Sequence, residues 1–326
     1  LFTTCQRLSQ MGYAQGGGIS CNPGSCGGKA SGTDCTNKGE FSFEIWCSLY
    51  ADDAGGMHSS RADLVAGAKA IDAHLKLFGL LMYVGRGGKR SKTEAVLFHK
   101  RHSRQEDGET SDITLACGGT ISFSPQFNYL GSIIHCSLSD SHDVANRIRK
   151  ASAAFGALRE TFFGTKYVPL QAKAALYSSG VLSVLLYGCE SWCLTQKGML
   201  TPLRNWHNKR IREMYRVTMH QVELYGITSA ELQKRIGIWD LDYYVGRRTL
   251  QWVGHVVRMD KSRLPRRLLT AWVREPRPEF GQEMSYVRSL KRWLKLFDLP
   301  LRYTECATLA HDRAEWARLI TRKRPH

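Results

Sequence analysis

Two adjacent carboxylates, Asp52 and Asp53, are the residues of this sequence whose spacing most directly suggests chemistry. They follow Tyr50 and Ala51 at the end of an alternating segment, Phe41 to Tyr50, whose period of two is typical of a β-strand. Neighbouring carboxylates repel each other and raise each other's proton affinity. A divalent cation removes this repulsion, and Mg²⁺ takes hard oxygen ligands and binds substrate phosphates. The alternative is a solvated turn, because two Asp before a Gly-Gly pair are also common turn residues.

The charge of the chain is unevenly distributed. The 326 residues contain 46 Lys or Arg and 29 Asp or Glu, which gives a net charge of +17. Residues 1 to 141 contain 13 of each kind, whereas residues 142 to 326 contain 33 basic and 16 acidic residues. A large positive excess predicts a polyanionic partner, and nucleic acid is the commonest one. A solvated charged surface is the alternative interpretation of the same excess.

Composition also excludes several classes of protein. Hydrophobic residues make up 43% of the chain, which is too many for a disordered protein. No apolar run reaches the roughly 18 residues that span a bilayer, and no secretory leader is visible, so we expect neither a membrane partner nor secretion. The ten cysteines include no Cys-x2-Cys pair, and their irregular spacing favours free thiols over a zinc site or a disulfide framework.

The periodicity of apolar residues predicts an α+β fold. In the neutral half it indicates the strand at Phe41 to Tyr50, a helix over Arg61 to Phe78 that ends at Gly79, and a hairpin over Ile121 to Ile134. Short strands are predicted over residues 80–84 and 94–98. In the basic half, spacings of three and four predict helices over 144–158, 170–192, 200–217, 229–236, 240–259, 286–297 and 313–320. Ser229 is the expected N-cap of the fourth of these helices.

The order of these motifs resembles the reverse transcriptases of non-LTR (LINE-type) retrotransposons from about residue 41 to about residue 275. The Tyr50-Ala51-Asp52-Asp53 block resembles the metal-binding palm motif, and Gly79 with Lys92-Thr93-Glu94 resembles the next palm motif. Phe127 to Ser132 resembles the primer-grip hairpin. Three later segments resemble the thumb and the region after it: Arg147 to Phe155; Leu186-Tyr187-Gly188 with Glu190-Ser191-Trp192; and Trp252 to Val256 with Arg258-Met259.

The resemblance implies a partial polymerase palm, an antiparallel sheet with helices, followed by a mostly α-helical thumb and C-terminal region. It implies four segments: an irregular Gly/Cys-rich segment at 1–40, the partial palm with the primer-grip hairpin at 41–141, the basic thumb and post-thumb region at 142–275, and a helical tail at 276–326. It also implies that Asp52 and Asp53 bind Mg²⁺, with Mn²⁺ as a substitute, and are catalytic. Lys92 would act on the leaving pyrophosphate, although a solvated lysine in a basic loop is nearly as good an interpretation.

The resemblance further implies contacts with dNTP, an RNA template and a DNA primer, or with an RNA–DNA hybrid. Tyr50 and Ala51 would lie under the primer terminus and the nucleotide, and Tyr129, Leu130 and Gly131 would hold the primer backbone. The alternatives are strand packing for the first pair and a hairpin core for the second set. Two groups of basic residues in the helical half are expected to contact phosphates: Lys209, Arg210, Arg212 and Arg216, and Arg247 with Arg248.

The sequence departs from the family where its first catalytic carboxylate should lie. Gln15-Gly16 is only a weak match to the motif that follows that carboxylate, and no acidic residue on a strand-like run precedes Asp34. A two-metal site needs ligands from both strands. We therefore expect a polymerase fragment that is inactive as this chain, with a non-catalytic binder of RNA or RNA–DNA hybrid as the alternative. A nuclear or cytoplasmic location is implied by the family alone. His255 lacks a partner at a useful spacing and is expected to be packed or hydrogen-bonded.

Overall fold

We describe the fold from a computed structural model of the chain. The structure describes residues 19–22, 43–45, 47–50, 53–85, 91–98, 111–193, 198–270, 272–273 and 286–321. The chain divides into two compact units, one formed by 1–139 with 270–282 and the other by 140–269 with 283–326. The predicted division into four segments stays a prediction. Among the described residues, no helix combines the length and the apolar character that crossing a membrane requires.

The first unit contains three-stranded and two-stranded sheets. Strands β1 (Ile19–Asn22), β2 (Phe43–Ile45) and β10 (Trp272–Val273) form an antiparallel sheet in the order β10-β1-β2. Strand β1 lies inside the segment predicted to be irregular. The strand predicted over residues 41 to 50 is in fact two strands, because β2 pairs with β1 whereas β3 (Cys47–Tyr50) pairs with β4 (Asp53–Gly56). Alternation of apolar residues reports which face is buried, but it does not report the partner strand.

Helix α1 (Arg61–Lys76) follows the β3–β4 hairpin, as predicted. The side chain of Ser60 accepts a hydrogen bond from the backbone N–H of Asp63 and so caps its N-terminus. Gly79, three residues after the helix, has φ +69°, a conformation that glycine adopts without a steric penalty. The strand predicted over residues 80–84 is wrong. The backbone oxygen of Tyr83 there accepts hydrogen bonds from the backbone N–H of Thr93 and from the hydroxyl of Ser91, and these bonds do not form a ladder.

The remaining strands of the first unit form one small mixed sheet and a separate hairpin. Strands β5 (Glu94–Ala95), β6 (Ile113–Thr114) and β7 (Thr120–Phe123) are ordered β5-β7-β6. Strands β8 (Gln126–Tyr129) and β9 (Ser132–His135) form a hairpin. The hairpin predicted over 121–134 is confirmed for this part only, because residues 121–123 belong to β7. The buried core of this unit is small and is formed by Ala68, Val84, Ala95, Ile113, Leu115 and Ile121.

The second unit is helical and has the larger core. Its helices are α2 (Ser141–Ala157), α3 (Leu170–Leu176), α4 (Leu182–Leu185), α5 (Thr201–Tyr215), α6 (Met219–Tyr225), α7 (Ser229–Ile236), α8 (Leu241–Val257), α9 (Leu264–Thr270), α10 (Tyr286–Leu296), α11 (Tyr303–His311) and α12 (Arg313–Thr321). With the sheets of the first unit, they confirm the α+β class. The core includes the buried aromatic side chains of Phe155, Phe163, Tyr177, Trp192, Trp206, Trp293 and Trp316.

Two details of the helices differ from the sequence expectations. The long helix predicted over 170–192 is interrupted by a π-helical turn at Tyr177–Val181, and it ends before Gly188, whose φ is +73°. The N-cap of α7 is Thr228 and not Ser229. Thr228 forms a capping box with Glu231, because its hydroxyl accepts from the backbone of Glu231 while that carboxylate accepts from the backbone of Thr228.

Helix α8 occupies the centre of the core because two of its positions carry no side chain. A Cβ atom on Gly246 would lie 2.8 Å from the Trp293 ring, and a Cβ atom on Gly254 would lie 2.6 Å from Trp316 Cδ1. The indole N–H of Trp316 also donates to the backbone oxygen of Leu250. The glycine of the Trp252-Val253-Gly254-His255 motif is therefore required by the close approach of α12.

Candidate functional site

The β3–β4 hairpin places Tyr50 and Asp53 opposite each other. The two residues are antiparallel partners, and both are exposed, Tyr50 by 65%. Only Ala51 and Asp52 separate them, and both of these predicted site residues lie outside the described residues. The carboxylate of Asp53 is accordingly available to solvent at the end of a strand, which suits a ligand of a hydrated cation.

The β8–β9 hairpin contacts the β3–β4 hairpin through Tyr129. The Tyr129 hydroxyl donates to Ser48 Oγ at 3.1 Å, and a Cβ atom on Gly55 would lie 3.7 Å from the Tyr129 ring. Leu130 and Gly131 form the turn of the hairpin with φ of 48° and 86°, the conformation of a type I′ turn. Of the predicted primer-binding residues, Tyr129 thus lies against the strand that carries Tyr50.

His58 packs between the β3–β4 hairpin and helix α1. A Cβ atom on Gly67 of α1 would lie 2.7 Å from the His58 ring, and one on Gly56 would lie 3.1 Å from it. Burial lowers the pKa of His58, and the negative charge of Asp63 opposes this effect only in part. The second Gly of the Gly55-Gly56 pair therefore has a packing role, which the sequence alone did not reveal.

Lys92, the third predicted catalytic residue, is exposed. Its ammonium lies 5.1 Å from the centroid of the Tyr83 ring, within the range of a cation–π contact. The catalytic role of Lys92 stays a prediction. Within the part of the chain that the structure describes, no three side chains of His, Cys, Asp or Glu are grouped so that they could hold a metal ion.

The basic residues of helix α5 do not share one environment. Lys209 and Arg216 are exposed and Arg212 is half-buried. The spacing of three places Lys209 and Arg212 on one side of the helix, and Arg216 is the C-cap residue that follows its last turn. Lys209, Arg212 and Arg216 are called the basic face. Arg210 differs, because its guanidinium donates to Glu213 at 2.8 Å and lies 5.0 Å from the Phe155 ring and 5.4 Å from the Trp206 ring.

The second predicted basic group, on helix α8, is half-buried. Arg248 donates from its guanidinium to the backbone oxygen of Leu186 at 3.0 Å. Arg247 is half-buried too, and its charge lowers the pKa of Tyr244, although burial has the larger effect and leaves that pKa raised. The hydrogen bond of Arg248 holds the segment around Leu186 against helix α8.

Two of the motif segments meet in the core of the second unit. The indole of Trp192 donates to the buried carboxylate of Asp143 at 2.9 Å, and the Arg147 Nε lies 3.6 Å from the same carboxylate. The Arg147 guanidinium also lies 4.4 Å from the centroid of the Tyr187 ring. Asp143 was not singled out in the sequence, since its role depends on a partner 49 residues away.

The buried histidine of this unit is His207, which the sequence analysis missed. Its Nε2 lies 3.0 Å from the backbone oxygen of Trp239, and its Nδ1 lies 2.7 Å from the hydroxyl of Tyr177. Because a carbonyl only accepts, Nε2 carries the proton and Nδ1 accepts from Tyr177. The expectation for His255 is wrong. This side chain is exposed, since its position on α8 points away from the core.

Asp242, at the start of α8, is held by two arginines. Arg204 donates to both of its carboxylate oxygens at 2.7 Å, and Arg292 donates to it at 2.8 Å. Burial alone would raise the pKa of Asp242, but the two guanidinium groups outweigh it and lower that pKa. Lys291 and Lys295 line an open cavity of about 620 Å³ beside this carboxylate.

The six cysteines that the structure describes with their side chains are free thiols: Cys47, Cys117, Cys136, Cys189, Cys193 and Cys306. Burial raises the pKa of Cys189, and the neighbouring Glu190 raises it further. A buried thiol with a raised pKa is a poor nucleophile. We assign no chemistry to these residues.

Comparison with known proteins gives one informative similarity. Over 204 residues the chain is 26% identical to a protein of Caenorhabditis elegans described as a putative uncharacterized transposon-derived protein. The match covers 60% of this chain and 70% of that protein. No family model matches the chain, and no solved structure matches it. The similarity supports a transposon-related origin.

Proposed function

We propose that this chain is part of the RNA-directed DNA polymerase of a non-LTR retrotransposon, comprising part of the palm, the thumb and the region after it. The observation that carries the proposal is the contact between the two hairpins. The Tyr50-Ala51-Asp52-Asp53 motif and the primer-grip motif are far apart in sequence, yet Tyr129 bonds Ser48 and packs on Gly55. A polymerase needs the primer backbone beside its metal-binding carboxylates, and this contact supports such an arrangement.

Asp52 and Asp53 are the residues we propose to hold Mg²⁺, for which Mn²⁺ would substitute. Their carboxylates are the hard oxygen donors that this cation takes, and the exposure of Asp53 leaves it accessible. When bound, paired Mg²⁺ ions stabilise the attacking and leaving oxygens of a phosphoryl transfer. Tyr50 and Ala51 would support the primer terminus and the dNTP, and Lys92 would neutralise charge on the pyrophosphate.

The second unit is proposed to bind the RNA template and DNA primer as a hybrid. The basic face supports this proposal because Lys209 and Arg216 are exposed. Phosphate contacts of this kind depend on charge and shape and carry little base specificity. Arg210, Arg247 and Arg248 were expected to contribute as well. The contacts of Arg210 and Arg248 inside the protein make these two weaker candidates than the basic face.

We propose that this chain does not extend a primer by itself. A two-metal site draws carboxylates from two strands, and the adjacent pair Asp52 and Asp53 supplies ligands from only one. The second candidate function is therefore non-catalytic binding of RNA or of an RNA–DNA hybrid.

Primer extension separates the two functions. The chain and its Asp52→Asn variant would be incubated with a DNA primer on an RNA template, dNTPs and Mg²⁺, and binding of the same hybrid would be followed over a range of salt concentrations. We expect salt-dependent binding without incorporation in both proteins. Incorporation by the unmodified chain that is lost in Asp52→Asn would contradict the proposed inactivity. Binding that is absent or independent of salt would contradict both functions.

A further inference from the structure

The C-terminal end of helix α5 is surrounded by positive charge. Lys173 is only 2% exposed, and its ammonium donates to the backbone oxygen of Met214 at 3.2 Å and to that of Thr165 at 2.7 Å. Arg216 is the C-cap residue of the same helix, with φ +60°. The free carbonyls of a helix C-terminus carry partial negative charge. A buried ammonium and a guanidinium at one terminus reverse that local charge.

The described residues do not compensate this charge. None of their carboxylates lies within ion-pair distance of Lys166, Lys173 or Arg216, and Glu213 pairs with Arg210 and Arg159 instead. Burial lowers the pKa of Lys173, and the charge of Arg216 lowers it further. Two like charges held together are stabilised by an external anion, and solvent-facing Arg216 is the member of the pair that such an anion reaches.

An exposed aromatic ring lies on the segment that Lys173 holds to this helix end. Tyr167 follows Thr165 by two residues and is 84% exposed. The ammonium of Lys166 lies 5.3 Å from the centroid of its ring. An exposed ring beside cations is the arrangement with which proteins stack unpaired bases while they bind the adjoining phosphates. A base inside a duplex has both faces covered and cannot stack in this way.

We propose that Lys166, Tyr167 and Arg216 form a binding site for single-stranded nucleic acid. A base stacks on the ring of Tyr167, and the flanking phosphates contact Lys166 and Arg216. The site rests on the proposed function, because it extends the basic face from duplex phosphates to a strand that leaves the duplex. Lys173 acts as a positioning residue, since it ties the Thr165 segment to the end of α5 through the two carbonyl contacts.

The test uses fluorescence anisotropy with three probes of matched sequence: single-stranded RNA, single-stranded DNA and a blunt RNA–DNA hybrid. The variants are Tyr167→Ala and Tyr167→Phe, with Tyr225→Ala as the matched control, because Tyr225 is 69% exposed in the same unit. We expect Tyr167→Ala to weaken single-strand binding by about fivefold or more. Tyr167→Phe and Tyr225→Ala should change it by less than about twofold, and hybrid binding should be unaffected. The affinities for single-stranded RNA and single-stranded DNA show which of the two nucleic acids the site prefers.

Arg216→Gly tests the phosphate contact, since glycine accepts the left-handed backbone of this position and the variant should fold. We expect it to reduce the slope of log K against log salt for single strands by about 0.7. Equal effects of Tyr167→Ala and Tyr225→Ala on single-strand binding would overturn the inference while the proposed hybrid binding stands. So would a Tyr167→Ala variant that loses single-strand and hybrid binding equally. Arg216→Gly is not used for that comparison, because Arg216 is also a proposed contact of the hybrid. Failure of all three probes to bind would overturn both.

Discussion

The hydroxyl of Tyr129 donates a hydrogen bond to Ser48 across 81 residues of sequence, at 3.1 Å. Tyr129 is the last residue of β8, and Ser48 lies in β3 two residues before Tyr50. The same ring packs on Gly55, so one side chain contacts both strands of the other hairpin. This single tyrosine therefore sets the distance between the hairpin that carries Asp53 and the turn at Leu130 and Gly131.

Tyr129→Phe removes that bond and keeps the ring. We expect the first unit to lose about 0.5 to 1.5 kcal/mol, the usual net contribution of one hydrogen bond. Urea unfolding would measure the change in the free energy of unfolding. Hydrogen exchange of the β3 and β8 backbone amides would show whether their protection falls. Tyr50→Phe is the control, because Tyr50 is exposed and should be neutral. Equal protection in Tyr129→Phe and Tyr50→Phe would show that the bond does not join the hairpins.

Gly254→Ala should destabilise the second unit by about 1 to 3 kcal/mol, because its Cβ would overlap the ring of Trp316. Gly156→Ala in α2 is the matched substitution, since nothing lies within 4 Å of a Cβ there. In that open position Ala should stabilise the helix by about 0.5 to 1 kcal/mol. Thermal unfolding of the two variants should therefore move in opposite directions. A Gly254→Ala variant as stable as the unmodified chain would contradict the packing of α12 on α8.

His207 should make the second unit sensitive to acid. Burial lowers the pKa of His207 to about 4, and its bond to the Trp239 carbonyl opposes the shift only in part. The unfolded chain, with a pKa near 6.5, binds the proton more readily. The stability that the neutral ring contributes is therefore complete above about pH 6.5 and is lost as the pH falls toward 4. The loss is on the order of 3 kcal/mol.

Urea unfolding at pH 7 and at pH 4.5 gives the drop in the free energy of unfolding for the unmodified chain and for each variant. The drop in the free energy of unfolding should be clearly smaller in His207→Gln than in the unmodified chain, and unchanged in His255→Gln, whose ring is exposed. His58 also has a pKa lowered by burial, but it lies in the first unit, so its effect falls on the unfolding of that unit. An identical drop in His207→Gln would exclude His207 as the acid-sensitive group.

Lys209 and Arg210 are neighbours with different expected roles. Arg210→Ala removes a guanidinium that packs on Phe155 and pairs with Glu213, and we expect it to cost about 1 to 2 kcal/mol of stability. Lys209→Ala should change stability by less than about 0.5 kcal/mol, since its side chain is exposed. It should instead reduce the salt slope of hybrid binding by about 0.9. A loss of stability in Lys209→Ala together with a reduced salt slope in Arg210→Ala would show that the basic face is wrongly assigned.

Local patterns predicted most elements of the fold. The helix at Ser229–Ile236 lies where its apolar spacing indicated, and the helix at Arg61 ends before Gly79. The predictions were wrong where the structure of a segment depends on contacts with other residues. Whether Thr228 or Ser229 is the N-cap of α7 depends on which hydroxyl reaches the backbone of Glu231. Residues 80–84 have the composition of a strand, but in the described structure they have no partner strand.

The sequence by itself determined the class of the fold, the order of its motifs and the confinement of the excess positive charge to residues 142–326. These properties depend on composition and on periods of two and 3.6 residues, which are local. Tertiary structure alone decided that Tyr129 meets Ser48, that His207 is buried while His255 is exposed, and that Arg210 lies on Phe155. Such contacts join residues far apart in sequence, and their energies depend on burial, which arises only when the elements pack.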